Sequence, residues 1–194
     1  MAIQWPFIAR QEGGDVLTGY VPAAKTSQSG VTIASGFDLG QIHIGDLDAL
    51  PLNPAIKVKL APYVGLKRQD AIAALASQPL TISADDAEAN DAVVDSQHGA
   101  ETAQHYQAWG GNWAALEDAA QTVIADVAFQ YGVDLENAVP HFWQQALACD
   151  WAGMYANLMD FGDVYPNRRR AEAVLIKPLC AKDALGILAS GAAS

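Results

Sequence analysis

The sequence predicts an α+β fold with a small β-hairpin subdomain, a long connecting helix and a helical lobe. Three observations carry this. From Gln11 to Gln41, glycines punctuate β-branched and aromatic residues, the texture of short strands and tight turns. Everything after it is Ala/Leu-rich and helical in period. Between the two, Ser83-Ala84-Asp85-Asp86 reads as a capping box opening a long helix that runs to about Trp109. A single domain over 1–194 is expected, with a β subdomain at about 13–50, the connecting helix at about 83–109 and the helical lobe at about 110–194.

In order, Phe7, Ile8 and Ala9 mark a short helix over Pro6–Gln11, stopped by Gly13-Gly14. Leu17–Val21 and Gly30–Ser35 alternate like strands on either side of a polar loop, Lys25-Thr26-Ser27-Gln28-Ser29. Asn53-Pro54 opens a helix running to Tyr63, with proline at the first helical position. A further helix covers Arg68–Ser77, beyond Gly65. Gly110-Gly111 ends the long helix. Over Glu117–Tyr131, Ala120, Val123, Ile124, Val127 and Ala128 form one apolar face, and Gly132 terminates the helix. Helices are also expected over Pro140–Cys149, Trp151–Met159, Pro166–Ile176 and Lys182–Ala189.

Composition narrows the function. The 194 residues carry a net charge of −11, which argues against sequence-independent binding to nucleic acid, a task for Lys and Arg. No apolar run approaches the ~18 residues of a membrane span. Met1–Gly14 lacks the basic start, apolar middle and cleavage site of a secretory signal, so delivery by other machinery, or excision from a longer chain, is expected. Cys149 and Cys180 read as small buried hydrophobes rather than a disulfide. His43, His98, His105 and His141 read as structural or exposed; His98 and His105 share a helix face, but two residues make no metal site. Acids crowd one segment (Asp85, Asp86, Glu88, Asp91, Asp95), and Arg168-Arg169-Arg170 is the one basic run, a solvated helix face or a local basic patch.

Glu12 sits where the first helix gives way to the glycine-rich sheet, and Asp38 where that sheet ends. Two carboxyl groups flanking a cleft are what general acid/base cleavage of a glycosidic bond requires. Three motifs, in order along the chain, then resemble the phage-type lysozymes and in particular their pesticin-like branch of bacterial toxins and endolysins. They are Glu12 followed by glycine; Gly30-Val31-Thr32-Ile33-Ala34-Ser35-Gly36-Phe37-Asp38-Leu39-Gly40; and the pair Val127-Ala128-Phe129-Gln130-Tyr131-Gly132 with Tyr165-Pro166-Asn167-Arg168-Arg169-Arg170.

The resemblance implies a lysozyme-like fold and a muramidase cutting the β-1,4 bond between N-acetylmuramic acid and N-acetylglucosamine in peptidoglycan. It matches Glu12 to the general acid, Thr32 to the threonine that places the attacking water, and Asp38 to the second acid of the pesticin-like branch. It matches Arg168 to the arginine facing the catalytic glutamate and sets Gln130, Phe129 and Asn167 on the substrate side, although Phe129 on its own reads as core. The phage enzymes carry their second acid in the loop corresponding to Lys25–Ser29; here that loop holds Thr26 and Ser27 and no acid, which shifts the role to Asp38.

Such chemistry needs no metal or organic cofactor. The implied partners are peptidoglycan glycan strands, with an immunity protein where the role is that of a toxin, and a monomer is expected, acting in the bacterial periplasm or cell wall. A catalytically silent peptidoglycan-binding module of a larger toxin is the alternative.

Overall fold

A computed structural model describes residues 2–12, 16–22 and 27–191, with Glu12 and residues 182–191 described by their backbone alone. Its contacts divide the chain into two compact units, Met1–Ile8 with His98–Ser194, and Ala9–Gln97.

In the second unit, β1 (Val16–Tyr20), β2 (Thr32–Ala34) and β3 (Phe37–Asp38) form an antiparallel sheet in the order β1-β2-β3. The register pairs Thr32 with Asp38 and Ile33 with Phe37, so Asp38 is the last residue of the sheet, where the sequence places it. Short helices follow: α2 (Ile44–Ala49), which the sequence does not announce, α3 (Pro54–Leu60) and α4 (Arg68–Ser77). Asn53 caps α3 by accepting from the Ala55 N–H at 2.9 Å, ahead of Pro54. Val31, Ile33, Leu39, Leu47, Ile56, Leu60 and Tyr63 form the core of this unit, each at most 2% exposed. Leu47 of α2, Ile56 and Leu60 of α3 and Ala71 of α4 join the buried β2 residues in that core, which none of these short helices could build alone.

The 25-residue α5 (Ala84–Ala108) opens on the expected capping box. The Asp86 N–H donates to Ser83 Oγ at 3.1 Å, and the Ser83 N–H donates back to Asp86 Oδ2 at 3.4 Å. In the first unit, α6 (Asp118–Tyr131) runs through the core with Ala120, Val123, Ile124 and Val127 all at 0% exposure, and Gly132 ends it at φ 82°. Around it lie α7 (Leu135–Ala138), α8 (Pro140–Leu147), α9 (Trp151–Met159) and α10 (Pro166–Gly191). The N-terminal segment is tied to this unit: the Gln4 N–H donates to Thr122 Oγ1 at 2.9 Å, and the Ile3 and Trp5 side chains pack closely over Gly99, where a Cβ would lie 2.9 Å from Ile3 Cδ1.

Two sequence expectations change here. The C-terminal segment is one helix carrying Pro178 within it, not the two over Pro166–Ile176 and Lys182–Ala189. Cys149 is exposed, in a left-handed turn at φ 52° after α8, so it is no buried hydrophobe; Cys180 is half-buried with its thiol donating to the Trp151 carbonyl at 3.3 Å, and the two form no disulfide. No helix among the described residues is long and apolar enough to cross a membrane.

Candidate active site

The β2–β3 hairpin is built around Asp38. Its Oδ1 accepts from the backbone N–H groups of Gly30 and Gly40, both at 2.9 Å, while Oδ2, among the described residues, meets only the distant Gln41 Nε2 at 3.4 Å. One oxygen is therefore used up by the fold, and the other is loosely held.

The glycines are required where they stand. A Cβ on Gly30 would lie 2.5 Å from Gly40 Cα, and one on Gly40 would lie 2.6 Å from both Gly30 Cα and the Leu66 carbonyl. Three backbone segments pass each other at contact distance there, and a carboxylate clamps two of them.

Thr32 lies directly across the strand pair from Asp38, so their side chains share a face. Thr32 is 3% exposed, and its hydroxyl donates to the Gly30 carbonyl at a long 3.4 Å. At the hairpin tip Ser35 donates to Asp91 on α5 twice, from its N–H at 3.2 Å and from its Oγ at 2.8 Å. One turn further along, the Asp95 carboxyl is pushed up to about 6 by burial and by the neighbouring Asp91. Glu12 is the last residue of α1 (Trp5–Glu12), and its side chain lies outside the described atoms. So does Thr26 of the polar loop, whereas the Ser27 hydroxyl donates to the Pro22 carbonyl at 2.8 Å.

The helical unit gathers the third motif pair into a buried charged network. Arg168 grips Asp126, Nε to Oδ2 at 3.3 Å and Nη2 to Oδ1 at 2.5 Å, and lies 3.8 Å from Glu172. Arg169 is 1% exposed. Its Nη1 donates to both Glu172 oxygens at 2.6 Å, its Nε to Asp163 at 2.9 Å and its Nη2 to Gln130 Oε1, and its guanidinium stands 4.6 Å from the Phe161 ring centre. The expectation of a solvated basic face therefore fails for two of the three arginines; only Arg170 is exposed.

Burial first, and then a hydrogen bond to Asp126, push the Glu172 carboxyl up to about 9. A proton kept on Glu172 is how two acids can pack beside two arginines at almost no exposure. Burial also raises Asp163, but the Tyr165 N–H, Arg169 and Tyr131 outweigh it and hold that carboxyl below its ordinary value.

Of the residues expected beside substrate, Gln130 and Arg168 thus belong to one network. Asn167 is exposed on the first turn of α10. Phe129 is half-buried and packs edge-on against His98, with ring centres 5.0 Å apart. Asp126 and Glu172 escape a reading of the sequence. The one available signal was an acid inside the otherwise apolar run Val123–Ala128.

A three-stranded antiparallel sheet, a 25-residue helix and a helical lobe around a buried arginine network define the lysozyme-like α+β class. The profile of the pesticin family, described as "Bacterial toxin homologue of phage lysozyme, C-term", matches residues 2–152, and the chain belongs to that family. A search of curated proteins finds no match. The matched span contains Glu12, Thr32, Asp38, Phe129 and Gln130 and stops before Asn167 and Arg168.

Proposed function

We propose that the chain is a peptidoglycan muramidase that hydrolyses the β-1,4 bond between N-acetylmuramic acid and N-acetylglucosamine with inversion. The observation that carries this reading is the family match to a lysozyme homologue across residues 2–152, with Thr32 and Asp38 in direct register inside it.

Glu12 donates its proton to the leaving glycosidic oxygen. Asp38 accepts a proton from the attacking water through Oδ2, the oxygen that the two glycine N–H groups leave over. Thr32, across the strand pair, positions that water. Inversion asks for carboxyl groups ~6.5–9.5 Å apart, room for one water. Gln130, Arg168, Asn167 and Phe129 belong to the substrate side, Arg168 through a guanidinium whose direction Asp126 sets. The domain serves a toxin, an injected effector or an endolysin, acting in the periplasm or cell wall as a monomer, with an immunity protein as partner where it is a toxin.

The second reading is a silent peptidoglycan-binding module. It is favoured by the clamp at Gly30 and Gly40, which explains an aspartate at position 38 without any chemistry.

Purified sacculi incubated with the protein, followed by mass spectrometry of the released fragments, separate the two. New reducing ends at N-acetylmuramic acid support the muramidase. Replacing the acid, Glu12→Gln, should lower their rate ~10²–10⁴-fold without loss of fold, because an amide cannot deliver a proton. Sacculi bound but uncut by the unaltered protein overturn the enzyme and support the binder.

A further inference from the structure

His98 and His105 share a helix face, but the structure separates their roles. His98 Nε2 meets the Ala125 carbonyl at 2.9 Å. His105, in the last turn of α5, reaches the turn between α6 and α8, where Asp134 and Glu136 stand. One ligand atom from each of His105, Asp134 and Glu136 lies within 4.8 Å of the other two.

His105 and Glu136 are held from behind. The His105 ring packs against Trp143 in the core, with centres 5.4 Å apart. Glu136 follows the fully buried Leu135, and α7 is secured by the Val139 N–H on the Leu135 carbonyl at 2.9 Å. Asp134 occupies the residue before α7, yet its carboxylate makes no capping hydrogen bond to that helix.

His105 Nε2 contacts Glu136 Oε2 at 2.7 Å. That pair leaves a second carboxylate, Asp134, beside it. A divalent ion answers all three groups at once.

We propose that His105, Asp134 and Glu136 form a binding site for one first-row divalent metal ion of the zinc type, pinning the end of α5 to the 133–139 turn. One imidazole nitrogen and two carboxylate oxygens are the donors such ions take, at about 2.0–2.2 Å each. Closing on an ion requires the Nε2–Oε2 contact to open slightly and Asp134 to swing inward, both side-chain torsions. Asp134 is exposed, and the His105 and Glu136 side chains are 20% and 18% exposed, so an ion can enter and water can complete its coordination. Magnesium and calcium prefer all-oxygen shells and are disfavoured by the imidazole.

The test is calorimetric titration of the full chain with zinc chloride, in a Cys149→Ser background so that the exposed thiol cannot supply the signal. One equivalent should bind, and the thermal midpoint should rise by several degrees at saturating zinc. His105→Ala and Asp134→Asn should each weaken binding at least tenfold. The exposed Asp134 makes its variant the safer one for folding. No binding in the Cys149→Ser protein, affinity unchanged by Asp134→Asn, or an equal response to magnesium chloride each overturns the site.

Discussion

Replacing Asp38 by alanine and by asparagine separates the two tasks assigned to its carboxylate. Alanine leaves the buried N–H groups of Gly30 and Gly40 without an acceptor. A hydrogen bond to a charged group is worth about 1.5–3 kcal/mol, so losing two should cost about 3–6 kcal/mol. Asparagine keeps an oxygen with two lone pairs in the same place and loses only the charge, for a cost of about 1–3 kcal/mol. In activity the order changes: neither variant has a base, so both should fall ~10²–10⁴-fold. Urea denaturation followed by far-UV circular dichroism measures the first quantity, and turbidity loss of purified sacculi measures the second. An alanine variant within about 0.5 kcal/mol of the unaltered protein would refute the clamp, since surface changes away from such features stay in that range. An asparagine variant clearing sacculi at the unaltered rate would refute the base.

Glu172, with a carboxyl raised from 4.5 to about 9, keeps in the folded state a proton that the unfolded chain releases. Its contribution to stability is complete below the ordinary carboxylate range and is lost as pH rises toward 9, by about 1.4 kcal/mol per unit; urea midpoints at several pH values should show this slope, and Glu172→Gln should flatten it. Arg168→Ala strands the fully buried Asp126 and should destabilise by about 3–5 kcal/mol, whereas Arg168→Met combined with Asp126→Leu should cost clearly less in the same denaturation measurement. With a net charge of −11 facing an anionic wall, moderate salt should speed lysis by screening repulsion; a monotonic fall in turbidity clearance from low salt upward would show that a local basic patch governs association.

Local signals in the chain were easy to read, and pairings between distant residues were not. Arg68–Ser77 and Trp151–Met159 fall where periodicity puts them, and the Ser83 capping box forms. Those are decided within a few residues. The helices Ile44–Ala49 and Leu135–Ala138 have too few turns to generate a period, so only their packing defines them. Glu12, Thr32 and Asp38 were singled out by motif, but the motif is silent on how Asp38 is spent. Its bond to Gly30 spans eight residues, and the glycine pair it clamps meets only in three dimensions. Likewise, three consecutive arginines look like surface. Burying two of them requires Asp126, some forty positions upstream, along with Asp163 and Glu172. Charge complementarity at that separation leaves no trace in hydropathy.

The clamp at Asp38 also bears on how such a domain would decay. A descendant released from selection for cutting peptidoglycan, but still selected to fold and bind it, remains under pressure to keep an acceptor at position 38, because Gly30 and Gly40 lose their hydrogen bonds otherwise. Aspartate satisfies that pressure as well as asparagine does, so this acid outlives the activity it serves. The task proposed for Glu12 is proton delivery alone, and a descendant that only binds makes no use of that proton. Among descendants of such a protein, loss of catalysis should therefore be written at position 12 long before it is written at position 38.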